Sequence, residues 1–387
     1  MTFLIYGPRL FGSAILDFTI LPIFWLTIIY LRSSIDIVLP SQILKTFYTL
    51  SALGAFAIII SIANMSYDFI HIFKLFRSVL NGFLIFIFCY ILFLRGLTGH
   101  NIIEIYVWAV IVHAAIVIAQ FFIPEFNQLI NIVNGYEGTS SRPTGLTWSL
   151  NASAVPSAFA ILILLGRSKT EYLKILFIAF SMFLMGRTSF ILTLLIVLIS
   201  VLSKINLKQF MYLSFSCIGV SFLINPAINY LLNLDEINVQ VFQYLQIAQL
   251  LLGQISLEET AYLYDLFEAL KSFIFFPTDP VDFFLGAGIS GRESIYIKSD
   301  MGWILNIYSF GLLGIIVFIT LHFYLIYIAR KSDIFEALFF ITLLIFLLNF
   351  KENLLFARHI SSVFFIGLTY ILYPVLKKSF ENKMFKN

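Results

Sequence analysis

The sequence predicts an all-α, polytopic integral membrane protein, and three features predict it. Hydrophobic residues make up 60% of the 387 residues. Charged residues make up only 12%, about half the share found in typical soluble domains. Apolar runs long enough to cross a bilayer recur along most of the chain. We therefore expect residues 1–387 to form a single helical bundle.

Because a helix needs about 20 apolar residues to cross the hydrocarbon core, the runs predict about eleven transmembrane helices, or twelve if the first hundred residues hold one more. Linkers between them are mostly short, which favours one bundle. The predicted spans lie near residues 10–31, 45–64, 75–94, 102–123, 151–167, 171–186, 187–203, 208–226, 303–328, 334–350 and 359–376.

Lysine and arginine in short loops predict the cytoplasmic side. One side collects most of these residues: Arg32, Lys45, Arg95, Arg167, Lys169, Lys204, Lys208, Arg330, Lys331, Lys377, Lys378, Lys383 and Lys386. The other side receives two sizeable loops, 124–150 and 226–302, and the short connection 351–358. We expect this second side to face outward.

The 226–302 loop is the longest stretch that no membrane helix accounts for. Two amphipathic helices are expected in it, and the second opens with a capping box at Ser256 and Glu259. Both suit the membrane surface better than its interior. Pro277, Asp279 and Pro280 are expected to end the second helix. A charged group, Arg292, Glu293, Lys298 and Asp300, closes the loop, so we interpret it as the wall or lid of an outward-facing active site.

Several cations fall on the outward side, against the positive-inside trend. Arg142 precedes a turn fixed by Pro143 and Gly145, and Arg187 lies in a tight hairpin between two apolar runs. Arginine forks bind phosphate oxygens in bidentate fashion. The alternative is a side chain that binds lipid phosphates at the interface. For the pair Lys74 and Arg77, and for Arg358, this alternative fits better.

Other classes of site are disfavoured. The net charge of +3 is spread along the chain, which argues against a nucleic-acid partner. Cys89 and Cys217 lie in apolar segments, and the five histidines are scattered, so neither a disulfide framework nor a metal site is expected. Gly286, Gly288 and Gly291 lack the preceding strand of a phosphate-binding loop. No cofactor is expected.

Three blocks together resemble the O-antigen polymerase (Wzy) family, which is akin to the O-antigen ligases. They are SRPTGLTWSLNASA at Ser141, GRTSFILTLLI at Gly186 and SDMGWILNIYSFGLLG at Ser299. The resemblance covers these blocks and the hydropathy profile. It implies a metal-independent glycosyltransferase in the bacterial inner membrane that transfers a growing glycan from undecaprenyl diphosphate to a new lipid-linked repeat unit on the periplasmic side. Lipid-linked repeat units, membrane lipids and a chain-length-determinant protein are the implied partners.

The resemblance also assigns residues. Arg142 and Arg187 match motif arginines that grip the diphosphate, and Lys74 or Arg77 is a looser match. Relatives carry a further arginine where this chain has Glu258-Glu259-Thr260. We expect Arg292, together with Lys298, to take the place of that arginine at the diphosphate.

Ligases carry a histidine near the position of Asp300. This chain has no such histidine, which favours a polymerase over a ligase and makes Asp300 the candidate base. The alternative role for Asp300 is a cap for the helix near Trp303. An O-antigen ligase remains an alternative, as does a lipid-linked oligosaccharide flippase or other transporter. Transporters often show internal repeats and helices broken at the bilayer midplane. No repeat is found here, and the unusual charges lie at the outer face.

Overall fold

The structure is a computed structural model. It describes residues 1–7, 39–66, 68–134, 143–147, 150–167, 171–186, 191–196, 276–289, 301–350 and 357–384, and the isolated residues 22, 25–26, 28–29, 189 and 355. The chain divides into two compact units, Met1–Ile196 with Phe276–Asn387, and Val197–Phe275. The described residues belong to the first. The single domain expected from the sequence stays a prediction.

The described residues form α-helices and no strand. The helices are α1 (Thr2–Tyr6), α2 (Ser41–Ala63), α3 (Ile70–Leu94), α4 (Gly99–Phe122), α5 (Pro124–Asn134), α6 (Leu150–Gly166), α7 (Tyr172–Met185), α8 (Pro280–Leu285), α9 (Gly302–Ala329), α10 (Phe335–Leu348) and α11 (Arg358–Met384).

The predicted all-α membrane class is confirmed in its coarse form. Within the described ranges, five helices are long and apolar enough to cross a membrane: α2, α3, α4, α9 and the first 20 residues of α11. Three more, α6, α7 and α10, are apolar but shorter. All eight coincide with predicted spans. The spans near 10–31, 187–203 and 208–226 lie largely or wholly outside the described residues, so the total of eleven or twelve stays a prediction.

Helix directions agree with the predicted topology. Asn81 of α3 donates to Ser362 of α11 at 3.0 Å, and farther along the same two helices Phe93 lies 4.7 Å from Tyr373 between ring centroids. These helices therefore run parallel. A Cβ added to Gly99, the first residue of α4, would lie 3.2 Å from the ring of Tyr370 near the middle of α11. The later α4 residue His113 and the early α11 residue His359 both contact Tyr6, so α4 runs antiparallel to both helices. We call the end where α4 stops and α3 and α11 begin the loop end.

Cations predicted to be cytoplasmic gather at the opposite end. Arg95 follows the last residue of α3. Arg330 follows α9, in the same turn as Asp333, which accepts from the hydroxyl of Tyr370 at 2.8 Å. Arg167, after α6, pairs with Glu104 at 2.5 Å and with Glu171 at 2.6 Å. A hydrogen bond from Lys174 lowers the pKa of Glu171. The separation of cations between two ends therefore agrees with the side assignment made from the sequence.

Two local elements differ from expectation. The first outward loop, 124–150, contains a helix, α5, with Pro124 at its first position, where the missing N–H costs nothing. Pro277, Asp279 and Pro280 were expected to end a helix whose residues lie outside the described ranges, so that expectation stays a prediction; Asp279 and Pro280 also begin α8, a helix that the sequence analysis did not predict. The Asp279 side chain accepts from the backbone N–H of Val281 at 2.7 Å, which is an N-cap. The predicted amphipathic helices of the 226–302 loop lie outside the described residues.

Helix α9 is broken at Gly311, which the sequence analysis took as part of one continuous span. Gly311 has φ 66° and ψ 178°, a conformation that is essentially restricted to glycine. Trp303 and Phe323 flank the break, and their rings lie 5.9 and 6.3 Å from that of Phe346. A straight helix would hold them about 30 Å apart. The two halves of α9 must therefore fold towards the same part of α10.

Backbone from the segment 286–289 fills the break. A Cβ on Gly286 would lie 2.7 Å from the backbone nitrogen of Gly311, so these two segments are in direct backbone contact. The N–H of Ala287 donates to the carbonyl of Tyr308 at 2.9 Å. The hydroxyl of Ser309 donates to the backbone carbonyl of Ile289 at 2.9 Å.

The end of α2 and the turn after it hold the other side of this segment. Ser61 and Ser66 both donate to the carbonyl of Gly288, at 3.2 and 2.7 Å. These bonds pair the backbone carbonyl of Gly288, and an unpaired backbone carbonyl inside a membrane would be costly. The role of Gly286 and Gly288 in this part of the chain is thus close backbone packing.

Candidate functional site

The predicted site residues divide into two groups. Arg142, Arg187, Arg292, Lys298 and Asp300 lie outside the described residues, so their assigned roles stay predictions. Lys74 and Arg77 lie on the first turns of α3, at the loop end; Lys74 is exposed and Arg77 half-buried. These two residues and Asn81 follow one another at the three- and four-residue spacing that places side chains on one helix face.

The turn that follows Arg142 is held by buried polar side chains. Gln120 of α4 accepts from the N–H of Gly145 at 2.6 Å. Asn134 of α5 donates to the carbonyl of the same residue at 3.2 Å. The ring Nδ1 of His113 accepts from the N–H of Leu146 at 3.3 Å. Both α4 and α5 therefore fix the position of residues 143–147.

Gly145 is needed in this turn. Its φ is +64°, and an added Cβ would overlap the imidazole of His113. The expected Pro-Thr-Gly turn is confirmed, and its physical reason is the close approach of the backbone to that ring. The residue that precedes the turn, Arg142, is bonded directly to the buried Pro143.

Tyr6 joins this turn to the start of α11. Its ring is fully buried and stacks on His113, with centroids 3.7 Å apart and an interplanar angle of 6°. It also meets His359 edge-on at 6.1 Å. Burial raises the pKa of Tyr6, so the phenol is neutral. Its hydroxyl lies 3.4 Å from that of Ser157 on α6. One aromatic ring thus contacts residues of three membrane helices.

One arginine lies beside this ring, and a second, Arg77, lies on the neighbouring helix α3. The Nη2 of Arg358 donates to the carbonyls of Tyr6 and Gly7, at 2.7 and 2.5 Å. His359, which follows Arg358 in α11, is buried. Neither ring nitrogen of His359 has a hydrogen-bond partner in the part of the chain that the structure describes. We call Tyr6, Arg77, His113, Arg358 and His359 the basic cluster.

The contact between α3 and α11 sets the register of the two arginines. Asn81 lies one turn after Arg77, and its partner Ser362 lies one turn after Arg358. Ser362 in turn donates to the carbonyl of Arg358 at 2.9 Å. A Cβ on Gly82 would overlap the ring of Phe365, so the helices approach closely here. Parallel helices in this register place the backbone positions of both arginines at one level.

This arrangement is suited to anionic oxygen ligands. Guanidinium groups in a partly water-excluded site bind phosphate more strongly than they do in bulk water. No group of three or more metal-ligating side chains occurs among the described residues. The expectation that the site works without a metal remains a prediction.

Sequence reasoning missed most of the basic cluster. Arg358 was assigned to the interface, and His113 and His359 were treated as scattered histidines. The only local signal was that Arg358 and His359 begin the last span, directly after an outward connection. α1 is too short to register as an apolar span, so nothing in the sequence suggested that Tyr6 lies between these histidines.

Comparison with known proteins adds no family assignment. No protein-family model, no curated protein and no solved structure matches the chain.

Proposed function

We propose that this protein is a surface-polysaccharide polymerase of the O-antigen type. It transfers a growing glycan from undecaprenyl diphosphate to a new lipid-linked repeat unit at the periplasmic face of a bacterial inner membrane. The observation that carries the proposal is the Asn81–Ser362 contact, which places Arg77 and Arg358 one turn earlier on neighbouring helices, at the end of the bundle where the turn after Arg142 is anchored.

In the proposed reaction, a hydroxyl of the acceptor sugar attacks the anomeric carbon of the donor. A new glycosidic C–O bond forms, and the bond from that carbon to the diphosphate oxygen breaks. The hydroxyl proton passes to a base, for which Asp300 is the candidate. The leaving diphosphate gains negative charge, and preplaced arginines stabilise it. Arg142 and Arg187 are the proposed primary contacts, supported by Arg77, Lys74, Arg292 and Lys298.

A transporter or flippase is the second candidate, because α9 is a broken helix of the kind that transporters use for binding. The buried amide of Asn306, before the break, has no hydrogen-bond partner among the described residues. Against this candidate, backbone of the 286–289 segment already occupies the break. The arginines lie at the end of the bundle instead.

The lipopolysaccharide ladder of a strain that lacks this protein tests the proposal. A polymerase defect leaves a single repeat unit on the lipid A core. A ligase defect leaves none, and lipid-linked polymer accumulates. A flippase defect also leaves none, but single lipid-linked units accumulate. An unchanged ladder would contradict all three assignments.

A further inference from the structure

Helix α5 turns its polar side towards the rest of the protein. Asn131 and Asn134 are buried, and Asn127 is half-buried. The three residues recur at the three- and four-residue spacing that defines one helix face. Gln120 of α4 donates to the Oδ1 of Asn127 at 3.1 Å, and Asn131 donates to the same oxygen at 3.4 Å. The amide side of α5 is therefore bound to the bundle.

Another side of α5 is apolar. At about 100° per residue, four apolar residues fall within one arc of about 100°: Phe126, Leu129, Ile130 and Val133. We call these four residues the apolar arc. Leu129 is 55% exposed, and the other three are half-buried; Ile132, beside the arc, is 62% exposed. A helix on a water-exposed surface shows the reverse arrangement, with asparagines outside and apolar residues against the protein.

The end of α5 lies beside the last turns of α4. Ile123, between the two helices, has extended backbone with φ −122° and ψ 98°. Gly145 is bonded to Gln120 of α4 through its N–H, at 2.6 Å, and to Asn134 of α5 through its carbonyl, at 3.2 Å. One continuous helix would hold Gln120 and Asn134 about 21 Å apart. Because α4 is long and apolar enough to span a membrane, α5 stays at the boundary where α4 leaves it.

The surface where α4 ends is also apolar. Phe121, Phe122 and Ile123 are 52%, 64% and 49% exposed. Three adjacent large apolar side chains at the end of a membrane span face hydrocarbon, because their exposure to water would be unfavourable. Ile123 alone separates the two helices, so the apolar arc begins within a few residues of this lipid-facing surface.

We infer that α5 is an interfacial helix that binds the bilayer leaflet at the loop end, with its apolar arc among the acyl chains. The exposed Glu125 and Gln128 then lie among the headgroups and water. The same helix holds the turn 143–147 through Asn134. The depth of α5 in the leaflet therefore sets the depth of that turn, to which Arg142 is directly bonded. The inference does not require the proposed function, because it concerns only where the helix lies.

The test uses the full-length protein in liposomes of phosphatidylethanolamine and phosphatidylglycerol, with a nitroxide spin label on the cysteine introduced by Leu129→Cys. Oxygen, which dissolves in hydrocarbon, should relax this label more strongly than a water-soluble nickel chelate. Gln128→Cys is the matched control, because Gln128 is the exposed neighbour outside the arc; its label should show the opposite preference. The parent protein, treated with the same reagent, supplies the signal of Cys89 and Cys217 for subtraction.

Two results would overturn the inference. If the nickel chelate relaxes the Leu129→Cys label as strongly as the Gln128→Cys label, α5 lies in water. If neither reagent relaxes the Leu129→Cys label, protein covers the apolar arc, either from this chain or from a second copy. If Leu129→Cys does not accumulate, Val133→Cys labels the same arc and is judged by the same criterion.

The outcomes separate the membrane contact of α5 from the proposed function. An oxygen-preferring Leu129→Cys label, together with an unchanged ladder in the strain lacking the protein, would reject the polymerase and keep the interfacial helix. A nickel-preferring label, together with a single-repeat ladder in that strain, would reject the interfacial helix and keep the polymerase.

Discussion

Replacing Arg142 with lysine is expected to abolish long glycans almost as completely as replacing it with alanine. Lysine keeps the charge but loses the planar fork that holds two phosphate oxygens at once. A contact that strengthens in the transition state costs about 3 kcal/mol or more when it is removed, roughly a hundredfold in rate. Arg187→Lys should behave in the same way. The measurement is the glycan ladder at matched membrane abundance of each variant.

The control for this pair is Arg95→Lys. Arg95 follows α3 at the opposite end of the bundle, where a cation needs only to remain charged, so its ladder should be normal. Full-length ladders from both Arg142→Lys and Arg187→Lys would contradict diphosphate binding by these residues. They would then be arginines that bind lipid phosphates at the interface.

Replacing Gly311 with valine is expected to destabilise the folded protein. A side chain at the φ and ψ of Gly311 costs about 1–3 kcal/mol in strain. Its Cβ would also overlap the carbonyl oxygen of Phe284, so the segment that fills the break would have to move. On the order of 3 kcal/mol in total lowers a melting temperature by roughly 5–10 °C. Thermal unfolding of the purified variant measures the change.

Gly166→Val is the matched control. Gly166 ends α6, and nothing lies within 4 Å of a Cβ placed there, so the same substitution should shift the melting temperature little. Equal melting temperatures for the two variants would mean that α9 is not broken at Gly311.

The apolar helices could be predicted from sequence because hydropathy over about 20 residues is a local signal. α5 was missed because it is amphipathic rather than apolar, and α1 because it is only five residues long. The pair Asp279-Pro280 suits either end of a helix when read alone. Only the contact of the Asp279 side chain with the N–H of Val281 decides that it begins one.

The break in α9 could not be predicted because glycine is common in membrane helices. The feature that distinguishes Gly311 is its backbone contact with Gly286, which is distant in sequence. The basic cluster escaped detection for the same reason. Arg358 donates to carbonyls at the start of the chain, 351 and 352 residues away. A single sequence carries no record of which distant residues meet. It did identify the turn at Pro143 and Gly145, because turn chemistry is local.

Polymerisation by the purified protein is the most direct test of the central claim. The protein is reconstituted in liposomes with undecaprenyl-diphosphate-linked repeat units and excess chelator. We predict glycans of several repeat units and one free undecaprenyl diphosphate released for each bond formed, with neither product from the Arg142→Lys protein. Elongation only after Mg²⁺ or Mn²⁺ is restored would contradict the arginine-based mechanism. Repeat units that remain single with or without added cation would contradict the assignment as a polymerase.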